Sequence, residues 1–433
     1  MKAVGIIAEY NPFHNGHRYH LEQAKFLTDT DAVVVVMSGA VTQRGELAIC
    51  DKWSRARIAV DQGADLILEL PAAFAVNSAE EFARGGISIL DRLGCVTDLV
   101  FGCESEPSEI ISMAEASARK EEAFSQSIRA GLDKGLSYPV ARSQAMCSFL
   151  PEAAIASLDR PNDILAAEYV RQLTLRGSSI VPHGVIRRGK YHDPEVVEND
   201  KQFSSATAVR RAILEQRWED VERSVPEAVA LLLKELYGQG EFEGKGLDAM
   251  ILSRIWTLGP EELRKIYGVS EGLEYRIWNS IFEVTSIDEL LETVSSGRYT
   301  TARVRRVLIH SLLGLTKDRY QTIKEAADQG TLYGRVLACN ETGAKLLKQI
   351  KKAEDTIPIY TNLNRELTDL QKKFVRGEET LASGYHSDGV MNCLRMDIRA
   401  AEIARMGRGK RIYDGSDFVK GPYIAHKIEK NHK

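Results

Sequence analysis

The stretch AVVVVMSG (32–39) leaves this chain few folds to choose from. Its β-branched side chains are stiff and favour extended backbone. A strand apolar on both faces belongs in the middle of a sheet that is covered on each side. Similar short runs recur around it: KAVGIIA (2–8), DLILELP (65–71), DLVFGCE (98–104) and SSIVPHGVIRR (178–188). Segments of helical spacing lie between and after them: GHRYHLEQAKFL (16–27), DKWSRARIAVDQGA (51–64), EEFARGGISILDRLG (80–94), a mainly helical reach over 108–176, and SSATAVRRAILEQ (204–216). Strand and helix in alternation require right-handed crossovers, which predicts a parallel sheet of the α/β class.

Beyond about residue 225 the texture changes. YGQGEFEGKG (237–246) is Gly-rich and polar, a linker or exposed loop. Helical segments follow, among them LDAMILSRIWTL, EELRKIYGV, EYRIWNSIFEV and TTARVRRVLIHSLLGL. GRVLACN (334–340) and IPIYTNL (357–363) read as a minor α/β element. Two domains are expected, residues 1–235 and a mainly helical 236–433. With 433 residues, 44% of them hydrophobic and 27% charged, the chain can build a core in each. The net charge of −4 advertises no global positive field, although a local basic face would be averaged away. The six cysteines form no C-x-x-C pair, so neither a zinc site nor a disulfide framework is indicated, and scattered thiols fit the cytoplasm. MKAVGIIAEYNPF has no signal-peptide pattern, and no apolar run is long enough to span a bilayer.

Chemistry enters at NPFHNGH (11–17), where the first strand hands over to the first helix. A turn needs Asn, Pro and Gly there; it does not need His14 and His17. Ligands of doubly wound sheets sit at the carboxyl ends of strands, and a new helix offers free N–H groups to an anion. Two imidazoles beside that helix end can donate to a phosphate whose charge grows during displacement. Pro12 stiffens the loop, and Gly16 leaves room for a close approach. Taken alone, the same residues also describe a capped turn with two solvated histidines.

His14-Asn15-Gly16-His17 resembles the H-x-G-H signature of the nucleotidyltransferase superfamily, whose members attack the α-phosphate of a nucleoside triphosphate and release pyrophosphate. The superfamily's second signature, a serine-rich turn before a helix, resembles Ser204-Ser205-Ala206-Thr207-Ala208-Val209-Arg210, in the right order after the last strand. GIIAEYNPFHNGH, VVVVMSGAVTQRGELAICDKWSRARIAVDQGADLILELP, FGCES and RPNDILAAEY together look like the tRNA(Met) cytidine acetate ligase family, nearly throughout the N-terminal half. That resemblance implies a Rossmann-like, parallel-sheet nucleotidyltransferase domain followed by a mainly α-helical domain. It implies formation of acetyl-adenylate from acetate and ATP, then acetylation of the wobble cytidine of elongator tRNA(Met) to N(4)-acetylcytidine. Magnesium is implied as the ATP counterion, with no protein metal ligands.

The resemblance also implies roles. His14 and His17 would be catalytic, stabilising the α-phosphate. The loop Ile7, Ala8, Glu9, Tyr10, Asn11, Pro12, Phe13, His14, Asn15, Gly16, His17, Arg18, Tyr19 and His20 would wrap ATP. Gly102 would meet the adenosine, and Asn162 would touch ATP or simply cap a helix. Arg187, Arg188, Ser204, Ser205, Thr207 and Arg210 would hold phosphates. Gln43, Arg44, Gly45, Lys52 and Arg55, after the second strand, are expected along the same crevice. For the RNA, two basic stretches offer Arg298, Arg303, Arg305 and Arg306, and Lys410 and Arg411. Such a run is more often a solvated helix face.

The chemistry agrees with what the chain lacks. Adenylation needs positioning and charge stabilisation, not a protein nucleophile, and no Ser-His-Asp order or reactive cysteine motif stands out. Other readings stay open: a cofactor adenylyltransferase, which the large helical half disfavours; a class I aminoacyl-tRNA synthetase, although K-M-S-K-S is missing; and a non-catalytic tRNA-binding protein on a nucleotidyltransferase fold.

Overall fold

The structure is a computed structural model that describes residues 1–149, 160–187, 203–242, 244, 246–366, 384–412 and 416–425. Each apolar run of the N-terminal half forms a strand: β1 (Ala3–Ala8), β2 (Ala32–Ser38), β3 (Leu66–Leu70), β4 (Val96–Cys103) and β5 (Val181–Ile186). They lie parallel in the order β5-β4-β1-β2-β3. All seven residues of β2 are buried, as its valines require. Alternate side chains serve opposite faces. Val33, Val35 and Met37 pack with Leu21, Trp53 and Val209, while Val34 and Val36 pack with Phe74 and Leu90.

Three more strands come from the C-terminal half. β6 (Gly334–Cys339) runs antiparallel to β3, with Leu66 opposite Cys339 and Glu69 opposite Arg335. β7 (Ile359–Tyr360) and β8 (Tyr423–Ile424) pair with the two ends of β6. The expected minor α/β element is therefore part of the main sheet. The reason is the edge of β3, whose unpaired backbone groups need a partner. A buried ionic cluster fastens this addition. Lys52 Nζ donates to both carboxylate oxygens of Glu69, at 2.7 and 2.8 Å, and to Asp417 at 2.7 Å. Arg335 joins Asp417 at 2.9 Å.

Among the described residues, the helices beyond residue 246 put their buried apolar side chains into the cluster on one face of the sheet. Val304, Val307 and Leu308 of the helix Thr301–Leu313 share the apolar cluster of Phe74 and Leu90. Thr300 caps that helix by accepting from Arg303 N, and Gly314, at φ 69°, ends it. Among the described residues no helix is long and apolar enough to cross a membrane.

Strand order locates the crevice. The chain steps from β1 to β2 to β3 in one direction, then returns to place β4 on the other side of β1. The carboxyl end of β1 is thus the switch point where doubly wound sheets open a ligand crevice.

Candidate active site

The loop leaving β1 turns sharply at Tyr10, whose φ is 47°. Its ring is buried between Phe13, 5.0 Å away, and His17, 4.9 Å away. Asn11 Oδ1 accepts from Ile49 N at 2.7 Å, and Arg210 Nη1 donates to the Asn11 carbonyl at 2.8 Å. His14 is the N-cap of the helix Asn15–Leu27. Its Nδ1 accepts from Gly16 N at 3.1 Å, and its own N–H donates to His17 Nδ1 at 3.2 Å. The two bonds form a reciprocal capping box built from imidazoles. Both Nδ1 atoms are acceptors, so both rings carry their hydrogen on Nε2. The rings stack at 3.7 Å with 22° between their planes. The room at Gly16 is taken by His14 itself: a Cβ there would lie 2.9 Å from His14 Cε1.

A cavity of about 350 Å³ opens at this point. From the β1 loop it is lined by Ile7, Ala8, Glu9, Tyr10, Asn11, His14, Gly16, His17, Tyr19 and His20. Pro12, Phe13, Asn15 and Arg18 do not line it. Pro12 and Phe13 are buried, Asn15 Nδ2 donates to the Arg223 carbonyl at 3.0 Å, and exposed Arg18 lies 3.6 Å from Glu22. Gly102, Asn162, Arg187, Ser204, Ser205, Thr207 and Arg210 also line it. A Cβ on Gly102 would contact Arg187 Cγ at 3.4 Å. Asn162 is no helix cap: that position is Arg160, and the Asn162 amide donates to Glu104 Oε1 at 2.8 Å. Ser205 caps the helix Ala206–Leu214 by accepting from Ala208 N at 3.1 Å. Arg188 lies outside the described residues.

Of the second-strand group, Gln43 and Arg44 line the cavity, whereas Gly45, Lys52 and Arg55 do not. Lys52 is held in the ionic cluster. Arg55 is buried beneath the floor and donates to the carbonyls of Glu9 at 2.7 Å, of Ser38 at 3.1 Å, and of Gly39. Both long cations are buried, Lys52 paired with carboxylates and Arg55 held by carbonyl oxygens, so neither reaches solvent.

Burial sets the electrostatics. It pushes the His14 imidazole down to about 3, helped by the Arg187 and Arg210 charges. His17 is held well below its ordinary value by burial, then by His14 and Arg187. His20 falls to about 4 for burial and Arg187. All three rings are therefore neutral at pH 7 and donate without carrying charge. Burial also raises the Glu9 carboxyl, against the pull of the Gln43 N–H and Arg210. Among the described residues no group of three His, Cys, Asp or Glu is placed to hold a metal ion.

A second cavity, of about 1080 Å³, adjoins the first, and Gln43, Arg44 and Leu165 line both. Arg298, Arg303 and Arg306 lie in its wall. Arg305 instead pairs with Glu46 and Asp288. Lys410 and Arg411 do not line it either: the Lys410 ammonium donates to the Gln239 carbonyl, and Arg411 is exposed.

The HIGH Nucleotidyl Transferase family model matches residues 1–411. A Bacillus velezensis protein named tRNA(Met) cytidine acetate ligase is 39% identical over 370 residues, 84% of this chain and 88% of that one. A Thermosipho melanesiensis protein of the same name is 38% identical over 387 residues, 86% and 89% of the two chains. The chain belongs to the tRNA(Met) cytidine acetate ligase family. The crystal structure of apo Thermotoga maritima TmcAL matches it with a TM-score of 0.87 at 31% identity, and that of TmcAL bound with alpha-thio ATP with 0.85 at 32%. Each match covers 98% of this chain and 100% of the other. Motif reading that leads to this ligase family misses the apolar walls Phe82, Phe101, Leu165 and Tyr169. In sequence they are ordinary core residues, and only packing opens a cavity beside them. Asp163 is missed too; fully buried, it accepts from Glu104 N at 2.6 Å and Ser105 N at 3.2 Å and so fixes the exit of β4.

Proposed function

We infer that the chain is an ATP-dependent ligase that activates acetate as acetyl-adenylate and acetylates the wobble cytidine of elongator tRNA(Met) to N(4)-acetylcytidine. Membership of the family supports the reaction. The observation that carries the site is the imidazole pair at the switch point, whose backbone bonds leave both Nε2–H groups as donors.

Acetate oxygen attacks the α-phosphorus, the bond to the β-phosphate oxygen breaks, and pyrophosphate leaves. His14 and His17 donate to the α-phosphoryl oxygens as charge builds there. Neutral rings suit this role because they need no proton transfer and hold their donors in place before reaction. Ser204, Ser205, Thr207, Arg187 and Arg210 hold the departing phosphates, Arg188 sharing the role that the resemblance gives it. Gly102 would meet the adenosine, and Asn162 would contact the ATP. Magnesium would arrive on the triphosphate, held by phosphate oxygens and water. The exocyclic amine of cytosine, weak because its lone pair is delocalised, then attacks the acetyl carbonyl, the C–O bond to AMP breaks, and the amine's proton leaves with the AMP phosphate. Residues 1–235 supply the nucleotide site, and the mainly helical 236–433 supplies the RNA surface, with Arg298, Arg303 and Arg306 the best placed of its cations. The compartment is the cytoplasm, where the RNA is found.

The test is exchange of labelled pyrophosphate into ATP with a panel of small carboxylates. Acetate-dependent exchange is expected. Exchange that requires an amino acid instead, or none at all from folded protein, refutes the reading.

A further inference from the structure

We propose that the second cavity is the port through which the target cytidine reaches the acyl-adenylate, and that Arg306 grips an RNA phosphodiester beside that nucleotide. The proposal rests on the function inferred above and says where its second substrate enters.

Three observations converge. The larger cavity meets the nucleotide cavity at Gln43, Arg44 and Leu165, so a base held in one lies next to an acyl group formed in the other. The loop at that junction is fixed. Gly45, at φ 79°, packs so tightly on the helix Thr301–Leu313 that a Cβ would lie 2.9 Å from Arg305 C and Arg306 N. Arg44 and Arg306 are thus held in register with each other.

The second observation is the state of Arg306. Its neighbours on this stretch have answered their charge: Arg305 with Glu46 and Asp288, Arg298 with Glu271, and Arg303 with Glu271 at 3.8 Å, its other arm donating to the Ser270 hydroxyl. Among the described residues no carboxylate pairs with Arg306. The titratable groups facing it are the neutral Tyr267 phenol and the Arg303 and Arg44 guanidiniums, and burial, then this like charge, lowers it to about 10. It remains a cation at neutral pH. A guanidinium kept among others without a counterion is costly until an anion arrives. Arg303 and Arg306, one helical turn apart, present their forks on one face, and such forks match phosphate geometry.

The third is aromatic. Half-buried Tyr267, backed at 3.8 Å by the buried ring of Tyr320, lies in the wall of the same cavity. An unstacked base of a single-stranded loop is recognised by stacking of this kind, with its backbone held by arginine. A free inorganic anion would have no use for that platform or for a cavity of about 1080 Å³.

The probe is a synthetic anticodon stem-loop of elongator tRNA(Met), binding read by fluorescence anisotropy. One form has natural linkages; two others carry a neutral methylphosphonate on either side of the target cytidine. Arg306→Gln is expected to weaken the natural RNA by about tenfold, the loss of one charge-assisted contact, and to lower the salt slope by about 0.7. It is expected to cost nothing further on one of the methylphosphonate RNAs. ATP affinity, titrated in parallel, is expected to stay at its native value. An equal loss on all three RNAs, no loss on any, or a fall in ATP affinity instead overturns the proposal; the last would assign Arg306 to pyrophosphate. Should R306Q fold poorly, R306K keeps the charge but not the fork, and the same linkage-specific loss is required of it. Missing pyrophosphate exchange in the unaltered protein refutes the function itself, whereas exchange with native RNA binding by R306Q refutes only the present proposal.

Discussion

Exchanging His14 for asparagine separates its two jobs. As N-cap, His14 accepts from Gly16 N; as donor, it presents Nε2–H to the cavity it lines. Asparagine is among the best N-cap residues and retains an acceptor at this position. The His14 backbone N–H still reaches His17 Nδ1. His14→Asn should therefore melt with the native protein, while its shorter amide withdraws the donor from the position of Nε2–H, which slows acetate-dependent pyrophosphate exchange by about 10²–10³, or about 2.7–4 kcal/mol in the barrier. His14→Ala removes both jobs, so it should show the same kinetic loss and a further ~0.5–2 kcal/mol of instability. Exchange is measured at saturating ATP and acetate beside thermal melts of all three proteins. A His14→Asn enzyme that turns over at the native rate would falsify the donor role, and equal melting of the two variants would refute the capping role.

Lys52→Met leaves Glu69 and Asp417 buried with one cation fewer, which should cost about 3–5 kcal/mol in urea unfolding; a loss within experimental error would mean the cluster is not stabilised by Lys52. Gly45→Ala forces a side chain into a left-handed backbone and against the next helix, so a loss of about 1–3 kcal/mol is expected together with slower acetyl transfer, and native behaviour in both would refute the tight junction. Burial, then the Glu69 charge, raises the Asp397 carboxyl to about 8 from 3.8. The folded state thus holds a proton the unfolded chain has lost, so this group's stabilisation is complete in acid and fades as pH rises from about 4 to about 8. Asp397→Asn should remove that decline, seen as a stability difference between variant and native protein that shifts in the variant's favour across the window; a constant difference refutes it.

The sheet could be read wherever a strand's own residues forbid any other place. Four valines in β2 exclude an edge, and the histidines with Gly16 announce a strand-to-helix turn. β6 could not be placed that way. GRVLAC is legible as a strand, but its partner is decided by which edge lies open, a property of the assembled sheet. Lys52 and Arg55 misled for a similar reason: charge in a sequence reads as crevice or solvent, and nothing local shows that Glu69, Asp417 and three carbonyls wait for it. Arg305 and Arg306 are adjacent letters with opposite fates, one paired across to Glu46 and the other left facing arginines, because neighbours on a helix point in different directions.

The closing of β3 by β6 sets a timetable for synthesis. A ribosome that has just released Leu70 must still add everything up to Gly334 before that edge can be covered. At about 5–20 residues per second, the delay is roughly tens of seconds. Throughout it, an apolar strand stands open as a template for any passing chain. Until the C-terminal half emerges, that edge of β3 lacks the strand that pairs with it in the finished fold.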